Sequence, residues 1–182
     1  MDLNNKIELA KEVFRKRQNF IISDDFNEFI IDCYLNLTPQ SYGAQINNEI
    51  IKRTGMKKVK SNEDKGDCKI NEKYSEIKIS YLSTSINWNL IQLRPHQKFE
   101  YYIFMLVDNI NNYNIIFIVI YKEDVNKFNI RAIHGTKKAN ENNVNIEYKL
   151  VINHNSNEYK QLLELNLLKE NSLQGIVDFF NN

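Results

Sequence analysis

At 182 residues, with 42% hydrophobic and 26% charged side chains, the chain has the balance of a globular domain with a real core, which excludes a disordered or fibrous protein. A formal net charge of +1 selects no partner class, and two cysteines, Cys33 and Cys68, without a CxxC frame point to reduced thiols rather than structural zinc. The longest apolar runs, 101–107 and 115–121, are too short to cross a bilayer, and the opening Met1-Asp2-Leu3-Asn4-Asn5-Lys6 lacks the layout of a signal peptide, so a cytoplasmic location without a membrane partner is expected.

Ile7, Ala10, Val13 and Phe14 recur at helical spacing and predict an opening helix through Arg17. A second helix is expected from Ser23 as N-cap, with Asp24 and Asp25 in its first turn and Phe26, Phe29, Ile30, Cys33, Tyr34 and Leu37 on its apolar side. The third has the clearest bounds: Thr38 as N-cap, Pro39 at the first helical position, Gly55 past the end. Its periodic positions, Tyr42, Ile46, Ile50 and Arg53, leave Glu49 on or beside the apolar side, an unusual place for a carboxylate.

After Gly55 the period changes from helical to alternating. Residues 66–70 and 74–82 read as strands around the turn-prone Asn71-Glu72-Lys73, and 87–94 fits a strand or a short helix ended by Pro95. Two buried-strand runs, 101–108 and 114–121, predict a hairpin, and 128–134 and 146–153 read as weaker strands flanking a polar loop over 135–145. Tyr159, Leu162, Leu163, Leu165 and Leu167 return to helical spacing, followed by a helix over 173–180. No linker or repeat divides the chain, so the expectation is one α/β domain over 1–182, a central mixed sheet flanked by helices.

The stretch that carries chemistry runs from Lys65 to Ser80. Glu76 and Lys78 are two apart on a strand and point to the same face. A tight turn places Asp67, on the preceding strand, opposite or nearly opposite Glu76. Cross-strand partners have Cβ atoms roughly 5 Å apart, and two carboxylates that close repel unless a positive charge lies between them. A divalent cation with oxygen ligands satisfies this, Mg²⁺ typically taking one or two carboxylates plus water and phosphate. Glu-x-Lys alone is weak, because the chain holds four: Glu63/Lys65, Glu76/Lys78, Glu147/Lys149 and Glu158/Lys160. Glu147/Lys149 also has strand-like flanks but lacks an upstream Gly-Asp at hairpin distance. An exposed hairpin with a cross-strand salt bridge would show the same three residues.

Gly66-Asp67, eight residues, then Glu76-Ile77-Lys78 resembles the PD-(D/E)XK nuclease signature of type II restriction endonucleases. Residues 88–102 are similar to a Gln/Arg-rich connector that some of these enzymes place after the catalytic strand. The resemblance covers about 39–121, and Gly66 stands where the nominal motif has proline. It implies a restriction-endonuclease-like core, Asp67 and Glu76 as metal ligands with the carbonyl of Ile77, Lys78 as the catalytic lysine, and Glu49 as the matching helix glutamate. It further implies Mg²⁺ as cofactor, double-stranded DNA as substrate, 5′-phosphate and 3′-hydroxyl products, and a homodimer that cuts both strands of a symmetric site.

DNA-contact candidates are Gln92, Arg94, His96 and Gln97 in the connector, Lys57, Lys58 and Lys60 after the third helix, and His134, Lys137, Lys138 and Asn140 in the polar loop. Each set also fits an ordinary polar connector or solvated surface. An HNH reading of His134, Asn145 and His154 has loose spacing and no second histidine or cysteine frame, and five glycines in the whole chain do not build a phosphate loop. A junction-resolving or repair nuclease of the same fold, and a non-catalytic DNA-binding module, remain as alternatives.

Overall fold

The structure, a computed structural model, describes residues 5, 7, 8, 25–60, 63–133 and 146–182. Most of the expected opening helix, Ser23, and the loop candidates His134, Lys137, Lys138 and Asn140 lie outside the described residues. The chain divides into two compact units, 1–46 and 47–182.

In the first unit, helix α1 (Phe26–Asn36) is capped by Asp25, whose carboxylate accepts the Glu28 N–H at 2.9 Å. The helix therefore starts later than a cap at Ser23 predicts, because the last carboxylate of the Ser-Asp-Asp run reaches an otherwise orphaned N–H. Phe29, Ile30 and Cys33 are its buried side chains. Helix α2 (Pro39–Thr54) keeps its expected bounds and crosses the boundary between the units. Thr38 Oγ1 accepts the Ser41 N–H at 3.4 Å, and Gly55 leaves the helix with φ +69°.

The second unit holds two sheets. The larger takes β1 (Lys57–Lys58), β2 (Cys68–Ile70), β3 (Lys73–Tyr81), β5 (Tyr101–Asp108) and β6 (Asn114–Tyr121) in the order β1-β2-β3-β5-β6. Strands β3 and β5 are parallel and the other pairs antiparallel, so this sheet is mixed as expected. The smaller is antiparallel, β4 (Asn87–Leu93), β8 (Glu147–Asn153) and β7 (Arg131–Ile133), in the order β4-β8-β7. The expectation of a central mixed sheet holds for the larger one; the second, smaller sheet was not foreseen, and it has a packing cause. Trp88, Leu90 and Leu93 of β4 and Leu150 and Ile152 of β8 share one core with Tyr102, Phe104, Leu106, Ile118 and Ile120 of the larger sheet. The smaller sheet thus buries the even-numbered face of β5. Hydrogen bonds tie the layers as well: Trp88 Nε1 donates to the Val107 carbonyl at 3.2 Å, and Asn89 N–H to Ser80 Oγ at 2.8 Å.

The β5–β6 hairpin forms with the predicted strands. A six-residue 3₁₀ helix, Lys122–Lys127, follows it and was not foreseen. Helix α3 (Asn157–Glu164), capped by Ser156, adds Leu162 to the core. Helix α4 (Leu173–Asn181), capped by Ser172, sets Phe179 and Phe180 edge-on to Tyr101, each ring at 5.4 Å, on the odd-numbered face.

Leu165 and Leu167 do not continue α3 as their spacing suggests. Their segment follows the open edge of β6 instead. Asn166 Oδ1 accepts the Val119 N–H at 2.9 Å and its Nδ2 donates to the Phe117 carbonyl at 3.2 Å. Asn171 does the same one rung along, with the Phe117 N–H at 2.6 Å and the Ile115 carbonyl at 2.9 Å, and the Leu167 N–H reaches the Val119 carbonyl at 2.8 Å. An apolar edge strand with unpaired amides invites pairing with another chain. Two asparagine side chains, each a donor and an acceptor, close that edge without adding a strand. Among the described residues no helix is long and apolar enough to cross a membrane.

Candidate active site

The β2–β3 hairpin turns at Asn71 and Glu72, both at positive φ (47° and 62°), so the turn is two residues long and Lys73 already belongs to β3. The register pairs Ile70 with Lys73, Lys69 with Tyr74 and Cys68 with Ser75. One more rung would set Asp67 against Glu76, as the sequence predicts, but the ladder kinks at that point. The Asp67 N–H donates to the Ser75 carbonyl at 2.9 Å, while its own carbonyl turns to the Val59 N–H at 2.9 Å on the β1 side. Gly66 makes the kink possible: its φ is +80°, and a Cβ there would lie 2.6 Å from the Ser75 carbonyl oxygen. The glycine in the motif's proline position is thus the residue this close approach requires.

The kink sends the Asp67 side chain along the edge of β3, where Oδ2 accepts the Ile77 N–H at 2.9 Å. A carboxylate replaces the strand that would otherwise pair with β3 there. In a strand the N–H and C=O of one residue project to the same edge, so the Ile77 carbonyl faces the side on which Asp67 lies.

Glu76 lies on the even-numbered face, only 3% exposed, next to its parallel-strand partner Tyr102. Lys78 Nζ stands 2.6 Å from Glu76 Oε1. Burial pushes the Glu76 carboxyl above the ordinary range, and the charge of Asp67 adds to this, against the pull of Lys78 and Arg94; the net direction is up. The buried Tyr102 hydroxyl accepts the Arg94 N–H at 3.1 Å, and burial together with the nearby Glu76 raises its pKa. Cys68 is buried with Sγ 3.4 Å from Met56 Sδ; burial, then Asp67 and Glu76, push its thiol pKa up, which disfavours the thiolate.

Asp67, Glu76, Ile77 and Lys78 therefore meet at the middle of β3, and the Arg94 charge acts on Glu76 from the end of β4. The other candidates are placed as follows. Glu49 is 9% exposed and bonded to Arg53 Nε at 2.7 Å, with Lys52 Nζ at 3.8 Å. Gln92 (φ +55°) sits at a bulge between Leu90 and Leu93 with its side chain outside, His96 is exposed and Gln97 half-buried in the turn closed by Gln97 N–H to Arg94 carbonyl. Lys57 and Lys58 on β1 and Lys60 just past it are exposed, and Val59 between them bonds Asp67, so this basic run borders the site; Lys58 also bonds Asn48 Oδ1 at 2.7 Å.

The competing Glu147/Lys149 pair has another use: Glu147 Oε1 takes Arg94 Nε at 2.9 Å and Nη2 at 2.8 Å. His154 lies against Trp88 and Tyr159, with Nε2 3.8 Å from Asp108, at the far end of β5. Sequence reasoning missed Tyr102 and Glu147 as neighbours of the site. Neither was legible without the parallel register of β3 and β5 and the pairing of β4 with β8.

Among the described residues no three His, Cys, Asp or Glu side chains come together to hold a metal ion. The donor set at β3 is two carboxylates and a main-chain carbonyl, hard oxygen ligands that suit a cation retaining several waters, as Mg²⁺ does. A buried carboxylate with a second acid beside it is also where added positive charge gains most. The residues fit such a group. No model of a known protein family matches the chain, and a search of curated proteins finds no match.

Proposed function

We propose that this chain is a Mg²⁺-dependent, sequence-specific endonuclease for double-stranded DNA, a type II restriction enzyme of the PD-(D/E)XK kind with a restriction-endonuclease-like core, working as a homodimer. The observation that carries the reading is the arrangement at β3. Asp67 is bonded to the strand edge at Ile77, Glu76 is buried one residue before it, and Lys78 stands one residue after it in contact with Glu76.

Asp67, Glu76 and the Ile77 carbonyl would hold Mg²⁺, which neutralises charge on phosphoryl oxygens and makes water a better nucleophile near neutral pH. The protein's own groups do the rest. Asp67 is fixed at the edge of β3 by the Ile77 N–H. Glu76 is buried, so its electrostatic interactions are strong. Lys78 Nζ contacts Glu76 and its side chain keeps 14% exposure, so it would orient water toward the phosphorus and move a proton. Exposed lysines on β1 attract the DNA backbone.

The test is digestion of a plasmid of known sequence with Mg²⁺, followed by sequencing of the ends. Discrete fragments with 5′-phosphates at one repeated sequence are expected, with cleavage lost and duplex binding kept in Asp67→Ala and Lys78→Ala. Intact DNA, methylated or not, contradicts the reading.

A further inference from the structure

The Glu147–Arg94 ion pair is more than a link between strands. Strands β4 and β8 are already hydrogen-bonded neighbours, so a salt bridge between their ends is not needed to join them. Its effect is to fix the guanidinium. One oxygen, Glu147 Oε1, takes both Nε and Nη2, at 2.9 and 2.8 Å, so a single edge of the fork is occupied. The edge formed by Nη1 and the second Nη2 hydrogen has no protein partner among the described residues.

The main chain of Arg94 is held as firmly. Its N–H donates to the hydroxyl of Tyr102, a fully buried ring one rung across from Glu76. The bulge at Ile91 and Gln92 shifts the phase of β4 so that Leu93, 0% exposed, faces the core and the strand ends with Arg94 at the site. The side chain keeps 34% of its surface open.

We propose that Arg94, oriented by Glu147, is a phosphate receptor at the mouth of the Asp67–Glu76–Lys78 cluster, presenting its open guanidinium edge to two oxygens of one phosphate. Planar, two-point recognition of a phosphate is what an arginine fork does and a lysine ammonium does not. Glu147 is a positioning residue: it touches no substrate, and it turns the fork outward. As a cleavage residue Arg94 rests on the nuclease reading above; as a phosphate site it does not.

Two measurements separate these. The first is kcat and KM for Mg²⁺-dependent cleavage of plasmid DNA. Arg94→Ala loses on the order of 10²–10³-fold in kcat, the size of removing one preorganised charge-stabilising donor. Arg94→Lys restores little of it, and Glu147→Gln, which keeps an acceptor without the charge, is intermediate, all with melting temperatures close to the parent. The second is calorimetric titration with inorganic pyrophosphate, without metal. The parent binds it, and Arg94→Ala and Arg94→Lys weaken binding at least tenfold. Cleavage by the parent with an equally active Arg94→Ala overturns the inference and leaves the nuclease reading standing. Pyrophosphate binding that needs Arg94, in a protein that cuts no DNA, keeps the phosphate site and removes the nuclease. A parent that binds no pyrophosphate and cuts no DNA overturns both.

Discussion

Replacing Asp67 by alanine and by asparagine separates what its carboxylate does for folding from what it does for chemistry. The Ile77 N–H belongs to a residue 3% exposed, and its partner is Asp67 Oδ2 at 2.9 Å. Alanine leaves that N–H without an acceptor, which costs about 1–3 kcal/mol. Asparagine keeps an oxygen in the same place and loses only the charge. Both substitutions relieve the repulsion of Glu76 equally, so the difference between them isolates the bond. In a domain of this size 1 kcal/mol moves the melting point by roughly 2–4 °C, so Asp67→Ala should melt on the order of 5 °C below Asp67→Asn. Calorimetry or urea unfolding with a constant slope reads this directly. Both variants lose Mg²⁺-dependent cleavage, because both lack the ligand charge. Equal stability of the two would refute the claim that the carboxylate holds the edge of β3.

Other substitutions test neighbouring parts of the account. Gly66→Ala places a Cβ against the Ser75 carbonyl at a positive φ, and neither can yield cheaply; a loss of about 2 kcal/mol or more in unfolding free energy is expected, together with lost cleavage as Asp67 is displaced. Glu76 has a raised pKa, so its contribution to stability is full below the ordinary glutamate range and is lost as pH rises through the raised value. Metal requires the charged form, so Mg²⁺ should raise the melting temperature more at pH 8 than at pH 5, and a pH-independent effect would contradict this. Ser75 Oγ is buried with no hydrogen-bond partner among the described residues, so Ser75→Ala should be neutral or stabilising by up to about 1 kcal/mol in urea unfolding. The double substitution Asn166→Ala with Asn171→Ala uncovers the β6 edge; a loss of about 2–4 kcal/mol and association detectable by light scattering are expected.

Where local chemistry decides, the sequence was sufficient. Thr38-Pro39 and Gly55 fix α2 because cap and stop signals are matters of a few adjacent atoms. The β5–β6 hairpin follows from two apolar runs that only a buried sheet accommodates. The spacing put Glu76 and Lys78 on one face of β3 with Asp67 just before the strand that pairs with it, and the register of β2 and β3 follows from the turn between them; the kink that carries Asp67 past the end of β2 was not legible. Long-range choices were not legible. That β4 leaves the larger sheet depends on which layer Trp88 and Leu90 bury. That residues 165–171 abandon the helix depends on an unpaired edge formed by β6. Glu147 looked like a second Glu-x-Lys motif until β8 placed it against Arg94, and Gly66 looked like a departure from a motif until Ser75 lay 2.6 Å from its missing side chain.

Titrating the protein with Mn²⁺ and following the free ion by electron paramagnetic resonance addresses the ion on which all this turns. One site per chain is expected, which Mg²⁺ competes away and which Asp67→Asn and Glu76→Gln each abolish while Lys78→Ala leaves it in place. Mn²⁺ that stays free throughout, or binds equally well without either carboxylate, would contradict this.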